Sequence, residues 1–529
     1  MSLLLPAVLW VHLSSSVLLA GASFMLLLAG RSDHRTARGW EKTVIAWSRL
    51  LVLVALGSGI TWLLVKTAVF EGRAEAALDP RAVLGVLLDT QAGLVWVARH
   101  GLLLVLGAFL AIRANIAEAG NWIAARGEAL LLGMVALALV SGSSHAAAVT
   151  PGTVLALAAD VAHLVGTGVW VGSLIPLALL LRAASREAGE DSRPYAVRAA
   201  RRFSRVALAA MIVLMASGAM NAITQVASVE GLVGTAHGRL LLAKLSVLVP
   251  ILVLAGLNRA RLLPALSGPS AAVGRPAMRR LAAFVGLEAV LALVLLALVA
   301  VMTMTPPARH QEPVWPLPFR LSLDAMVDGP AARGRALLGG QLVVLGMVAA
   351  IASLLVRRRR APVLAGSLAL VAIGAGVGLP PVVIDAYPTT YRRPPVTYHA
   401  ASIAPGMSVY LQHCATCHGA TGAGDGPSVP GLPRPPVDLR SAPTSLRHAG
   451  EIFWMIAHGV PGRGMPGFEH RLGEAERWHV INFLRALGSA EAAGRLGREV
   501  EPERPWLAAP DFAVSVGPLE PWALRDYRG

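Results

Sequence analysis

His163–Leu177 reads HLVGTGVWVGSLIPL, inside an apolar run from about 153 to 181. Spanning a bilayer by helix takes about 20 apolar residues, so this run is long enough to cross. Arg182, Arg186, Arg193, Arg198, Arg201, Arg202 and Arg205 follow it directly. An apolar run closed by a basic loop recurs along the chain, and that recurrence decides the fold. Ten such runs lie near 5–29, 43–67, 91–112, 129–148, 153–181, 206–227, 238–258, 282–304, 337–356 and 361–384. Arg31, Arg35, Arg38 and Lys42 follow the first span, and Arg113 and Arg126 follow the third. Arg259, Arg261, Arg275, Arg279 and Arg280 follow the seventh, and Arg357 through Arg360 the ninth. Loops after even-numbered spans are poorer in basic residues. Positive loops face the cytoplasm, so both termini are expected outside, on the periplasmic face of a bacterial inner membrane.

Composition agrees. Of 529 residues, 55% are hydrophobic and 15% charged, too apolar for an ordinary soluble protein. The net charge of +16 does not point to nucleic acid, because the Arg residues cluster in short loops between spans. No basic stretch precedes the first apolar run, so a cleaved leader is not expected. The fold class expected is all-α: a polytopic bundle of about ten spans, then a small helical domain. The expected divisions are 1–305 (eight spans), 306–384 (an outer loop and two more spans), 385–402 (linker), 403–490 (soluble domain) and 491–529 (tail). The outer loop of residues 305–336, which contains TPPARHQEPVWPLPFRLS, is expected to lie along the membrane surface.

The two cysteines, Cys414 and Cys417, stand in VYLQHCATCHGATGAGDGP (Val409–Pro427), which excludes a disulfide framework. Cys-x-x-Cys-His is the spacing of a covalent c-type haem. Two thiols form thioethers to the haem vinyls, and His418 then stands under the iron. A redox pair would need a strand–helix context, and a zinc site more Cys or His partners. Met465, in the Gly/Pro-rich loop GVPGRGMPGFEHRL, is the expected sixth ligand. Met455, in EIFWMIAHG, reads as helix packing, and His448, His458 and His470 are weaker candidates. A His/Met pair raises the iron's reduction potential and closes both axial positions, so electron transfer is expected. APGMSVYLQHCATCHG supplies a first helix, in which Gly406 permits a close crossing. GEAERWHVINFLRALG supplies a last one, with Trp478, Ile481 and Leu484 on one face. Residues 403–490 resemble a class I cytochrome c domain. That family usually orients its ligand histidine with a proline carbonyl, and PSVPGLPRPP offers several prolines.

Ionisable groups inside spans are costly and usually functional. At 1.5 Å rise per residue, His12, Arg99, His100, Asp160, His163, Lys244, Met220 and Asn221 fall roughly 10–15 Å below the outer surface. His145, His237, Met302 and Met304 lie above them, near the outer mouth, while Glu288 lies near the cytoplasmic end of span eight. The expectation is a polar site opening to the periplasm, in which Arg99 pairs with Asp160 and His12, His100, His145 and His163 are candidate copper ligands. Met302 and Met304 add thioethers suited to Cu(I), whereas Met211, Met215 and Met220 read as packing.

HLVGTGVWVGSLIPL also resembles the His-containing helix of the copper-resistance protein D family. RFSRVALAAMIVLMASGAMNAI and GRLLLAKLSVLVPILVLAGLNRARLLPAL (Arg202–Leu266) match that family's membrane domain more closely. Their Phe-Ser, Ser-Gly, Leu-Leu-x-Lys and Asn-Arg elements stand at familiar places. The resemblance covers about residues 1–305 and implies copper handling, often with a periplasmic copper-binding partner. Two readings follow. In the first, a copper-handling membrane protein, in contact with lipid, carries a haem c that exchanges electrons with copper or with a redox partner. In the second, His100 with His163 or His12 holds a haem b, and the chain is a quinol-to-cytochrome relay. A copper-containing oxidase would need an adjacent His pair, and none occurs. A mere anchor for the cytochrome would need one span, not ten.

Overall fold

The computed structural model describes residues 4–112, 119–148, 150–186, 192–266, 271–323, 329–353, 360–441, 444, 447–495, 511–514 and 522–524. Arg113, Arg357, Arg358 and Arg359 lie outside them, as does most of the tail. Among the described residues, ten helices are long and apolar enough to cross a membrane. They run Leu4–Ala29, Arg35–Glu71, Gln91–Ile112, Asn121–Ser143, Thr153–Arg186, Arg193–Gln225, Ala236–Ala265, Arg275–His310, Pro330–Ala352 and Ala361–Val382. The chain divides into two compact units, Met1–Gln311 and Glu312–Gly529.

In the first unit, spans one and five are the central pair. Their crossing is fixed by glycine: a Cβ on Gly172 would lie 2.1 Å from the Val17 carbonyl oxygen and 2.9 Å from Gly21 Cα. Small residues at a helix interface let two backbones approach this closely in lipid. Ser173 Oγ donates to the Gly21 carbonyl at 3.2 Å across the same contact. Trp40 of span two donates its indole N–H to the Pro176 carbonyl of span five at 2.8 Å. Around this pair Met25, Leu174, Leu177, Leu180 and Leu181 are fully buried.

In the second unit, spans nine and ten pack through Gly339, Gly374 and Gly378, where a Cβ on Gly339 would meet Gly378 Cα at 2.4 Å. The helices Ala400–His413, Ala449–His458 and Glu474–Arg495 build a small helical core. Tyr410, Trp478 and Ile481 are buried in it, and Phe453 and Trp478 stack at 4.4 Å between ring centroids. The close crossing expected at Gly406 is present, because a Cβ there would sit 2.0 Å from the His479 carbonyl oxygen.

Part of the segment expected along the membrane surface forms a strand. Phe319–Leu321 pairs antiparallel with Val383–Asp385. Arg320 ion-pairs, buried, with Glu451 of the helix Ala449–His458. Strand pairing satisfies the backbone of this Pro-rich run and carries a guanidinium onto a carboxylate. The expected linker is folded as well. Thr389 Oγ1 donates to the Gly450 carbonyl at 2.7 Å, and Asn482 Nδ2 donates to the Thr397 carbonyl at 3.0 Å.

Candidate functional sites in the two units

His12 of span one is 3% exposed and fully engaged. Arg99 of span three donates from Nη1 to its Nε2 at 2.8 Å. An arginine only donates, so Nε2 carries the lone pair and Nδ1 carries the proton. That proton is directed to the Ala55 carbonyl at 2.9 Å. Arg99 therefore occupies the lone pair that a metal would need. Its remaining donors reach the Ala136 carbonyl at 2.8 Å and Ser16 Oγ at 3.3 Å. The expected Arg99–Asp160 pair is corrected here. Arg99 is turned toward span one, while Asp160 accepts from Ser144 Oγ at 2.8 Å and Asn221 Nδ2 at 3.4 Å. Common depth gave the two residues the same layer, but they face different neighbours.

His100 hydrogen-bonds the Trp96 carbonyl through Nδ1 at 2.8 Å and stacks on the Trp96 ring at 3.7 Å. Its Nε2 is buried without a partner, against the backbone of Gly59. His163 meets Ser217 Oγ through Nδ1 at 3.1 Å. Ser217 gives its own hydrogen to the Val213 carbonyl at 2.7 Å, so His163 is the donor. Lys244 of span seven lies within electrostatic range of His163 and Asp160. The structure thus brings His12, His100 and Arg99 together and sets His163, Asp160 and Lys244 in a second group. Among the described residues, no three His, Cys, Asp or Glu side chains gather into one cluster suited to a metal ion.

At the end of the bundle above this layer, two imidazoles are differently placed. His145 Nε2 and His237 Nε2 are both buried and without a partner. His237 is 1% exposed and meets Thr305 Oγ1 through Nδ1 at 3.1 Å. Thr305 donates to the Met302 carbonyl at 2.7 Å, so His237 carries its proton on Nδ1 and leaves Nε2 as a lone pair. His145 is among the charges that act on His237, which places the two within electrostatic range. Burial holds His145 below the usual imidazole range, helped by His310, Lys66 and Arg309 and opposed by Asp160. A neutral imidazole is the form that binds metal. Composition and motif gave His237 no ligand role; only its position near the mouth marked it.

In the second unit, Cys414 ends the helix Ala400–His413 and the short helix Ala415–His418 carries the rest of the motif. Both thiols are unbonded. Burial, then the neighbouring Cys417, pushes the Cys414 thiol up to about 11, so it is a protonated thiol at neutral pH. His418 Nδ1 is buried with no hydrogen-bond partner. Burial lowers its proton affinity, while the backbone of Val437, just past Pro436, favours its protonated form. Met465 packs, half-buried, against the same core as Cys414 and Ala415. Its loop is pinned by paired backbone bonds between Val460 and Met465, of 2.9 and 3.3 Å. Gly459, at φ +75°, passes so close to the Met465 carbonyl that a Cβ would lie 2.4 Å from it. Met455 sits on the helix Ala449–His458, as its pattern suggested. His458 stacks on Trp454 at 3.7 Å and stands 3.8 Å from Glu469, His448 lies beside the Tyr391 ring, and His470 is exposed. Two free thiols, an adjacent histidine with a partnerless buried nitrogen and a pinned thioether make a donor set that fits a haem c.

Comparison with known proteins agrees with this division. Residues 1–156 match the family model of the copper resistance protein D-like N-terminal domain, and residues 197–302 that of copper resistance protein D. Residues 401–484 match the family model of cytochrome C oxidase, cbb3-type, subunit III. The chain is 32% identical over 186 residues to the copper transport protein CutJ of Bacillus subtilis (strain 168), covering 35% of this chain and 33% of that protein. It is 36% identical over 92 residues to the cytochrome c subunit of the quinone alcohol dehydrogenase of Gluconobacter oxydans (strain 621H), covering 17% of this chain and 19% of that subunit. The chain thus spans about a third and a fifth of these two relatives. No solved structure matches it.

Proposed function

We propose that this chain, a copper-resistance protein D membrane domain fused to a cytochrome c domain, moves copper through its bundle and holds one haem c for electron transfer on the periplasmic side. The observation that carries the copper reading is the pair of buried, partnerless nitrogens, His145 Nε2 and His237 Nε2, at the mouth. Imidazole suits copper, and a site that receives and passes on its cargo needs donors not committed to protein. Met302 and Met304 adjoin Thr305, the residue that His237 donates to, and add thioethers for the Cu(I) form. Arg99, held by His12, places a fixed cation below this entrance. Basic loops after odd-numbered spans put the mouth, both termini and the cytochrome domain outside.

Cys414 and Cys417 would hold the haem covalently, and His418 and Met465 would supply ligands to its iron. When bound, the haem supplies one-electron transfer at a potential raised by the thioether. The chain's own residues set His418 near the Val437 backbone and keep Met465 in a pinned loop packed against the same core as Cys414. The electron that such a domain supplies is the difference between Cu(II) outside and the softer Cu(I).

The test is copper accumulation by cells carrying the full-length chain. His145→Ala with His237→Ala is expected to abolish the copper response, and Met465→Ala to reduce it. Unchanged accumulation in the double histidine variant overturns the entrance, and unchanged accumulation in Met465→Ala overturns the coupling to the haem. The haem b relay is the weaker reading, because His12 has no free lone pair and His100 Nε2 is pressed against Gly59.

A further inference from the structure

The first unit holds a cavity of about 310 Å³ at the opposite end from the histidine mouth. Its walls are apolar, formed by Trp170, Phe203, Met211 and Leu252 among others. Spans six and seven form its two sides. Each packs on span five or span eight, and they meet each other only near their ends. Arg259 makes that tie, donating from Nη1 to the Ser204 carbonyl and to Ser204 Oγ, both at 2.9 Å. Leu208, on the wall, is 38% exposed, so the cavity opens sideways through the apolar surface of the bundle.

Four polar side chains line this apolar space: Arg259 and Ser204, bonded to each other, and Asn258 and Glu288. Glu288 of span eight is 3% exposed and Asn258 of span seven 8%. Asn258 Nδ2 donates to Glu288 Oε1, and Asn258 Oδ1 is left buried with no partner. Asn258 opens a π-helical turn, Asn258–Leu262, and such turns concentrate at functional sites. A buried acceptor without a donor is costly to keep, so its persistence calls for a ligand that donates.

We propose that this cavity binds a lipid-soluble quinol, with its ring among the apolar walls and a phenolic O–H donated to Asn258 Oδ1 or Glu288. The chemistry of the walls selects this class. Both free groups are oxygen acceptors, so the oxidised quinone, which has no O–H, leaves Asn258 unsatisfied. Hard oxygen donors on apolar walls do not suit Cu(I). A volume near 300 Å³ is at the small end of ligand pockets, enough for a ring and the start of a tail that leaves through the lateral opening. This site is separate from the histidine mouth, and the copper reading stands or falls without it.

The test uses the full-length, haem-loaded protein in nanodiscs, with the haem pre-reduced by ascorbate and oxygen excluded. 2-Decyl-1,4-hydroquinone and its di-O-methyl ether, in which methyl groups replace the donor hydrogens, are titrated by calorimetry. The hydroquinone is expected to bind at least tenfold more tightly than the ether. Asn258→Leu is expected to remove that difference, and Ala207→Trp, which fills the cavity, to abolish binding. Copper binding at the mouth should be unchanged in both variants. Ala255→Phe replaces Ala207→Trp if the latter does not fold, as judged by elution and haem absorption. Equal affinity for the two compounds, or full binding by the filled-cavity variant, overturns the proposal.

Discussion

Gly59 shows how tightly single residues set the polar layer. A Cβ there would lie 2.0 Å from His100 Nε2 and 2.9 Å from His12 Cε1. The His100 ring cannot swing aside, because Trp96 covers its face. Gly59→Ala is therefore expected to destabilise the protein by about 1–3 kcal/mol, seen as a lower Tm in detergent. A neutral imidazole outside the spans gives a pH signature. Burial keeps His145 from accepting a proton that the unfolded chain takes up below about pH 6.5. The folded-state pKa is lowered, so its contribution to stability is present above that pH and is lost as pH falls. Copper-free protein should lose stability on acidification through that window, and His145→Gln should flatten the slope. The depth of His12, His100 and Asp160 was legible from their place along each span. Which neighbour each side chain faces was not, because residue counting gives height but not rotation between helices. Arg99 bonded to His12 rather than Asp160 is the result of that missing angle.

Among the elements, the haem-binding helices were readable and the connection feeding them was not. Cys-x-x-Cys-His, Gly406 and the Trp478–Ile481–Leu484 face are local patterns, and they sit where those patterns put them. The strand at Phe319–Leu321 depends on a partner more than sixty residues away, which no local pattern encodes. Its most consequential contact is Arg320 with Glu451, where the two residues are 4% and 0% exposed. Arg320→Ala leaves a carboxylate buried and is expected to cost about 3–5 kcal/mol, read as earlier unfolding of the haem domain in denaturant. Replacing both residues by leucine should restore most of that loss, because a well-packed apolar pair avoids the desolvation penalty. At the helix crossing, Gly406→Val drives a branched side chain into the His479 carbonyl and is expected to prevent stable haem incorporation.

At the scale of the whole molecule, ten spans and a haem domain could be counted from hydropathy and one motif. The chain divides into two units at Gln311/Glu312. A pyridine haemochrome spectrum of the purified chain is expected to show one haem c and no haem b. Haem b in equal amount would instead make the span histidines iron ligands. Met465→Ala is expected to lower the reduction potential of the bound haem, since a thioether raises it, and potentiometric titration reads that directly.

The paired strands Phe319–Leu321 and Val383–Asp385 have a consequence for biogenesis. Their two sequences flank spans nine and ten, so they can meet only after both helices have been inserted as a hairpin. Arg320 then reaches Glu451 only once the C-terminal domain has itself folded. Maturation is thereby ordered, with insertion first, the clasp second and the haem domain seated last. A chain that failed to insert span ten would leave its cysteines on the side of the basic loops, opposite the clasp. The seated domain, gripped by chain on both sides of a hairpin, is a fixed post and not a swinging arm. Its electron partners must come to it.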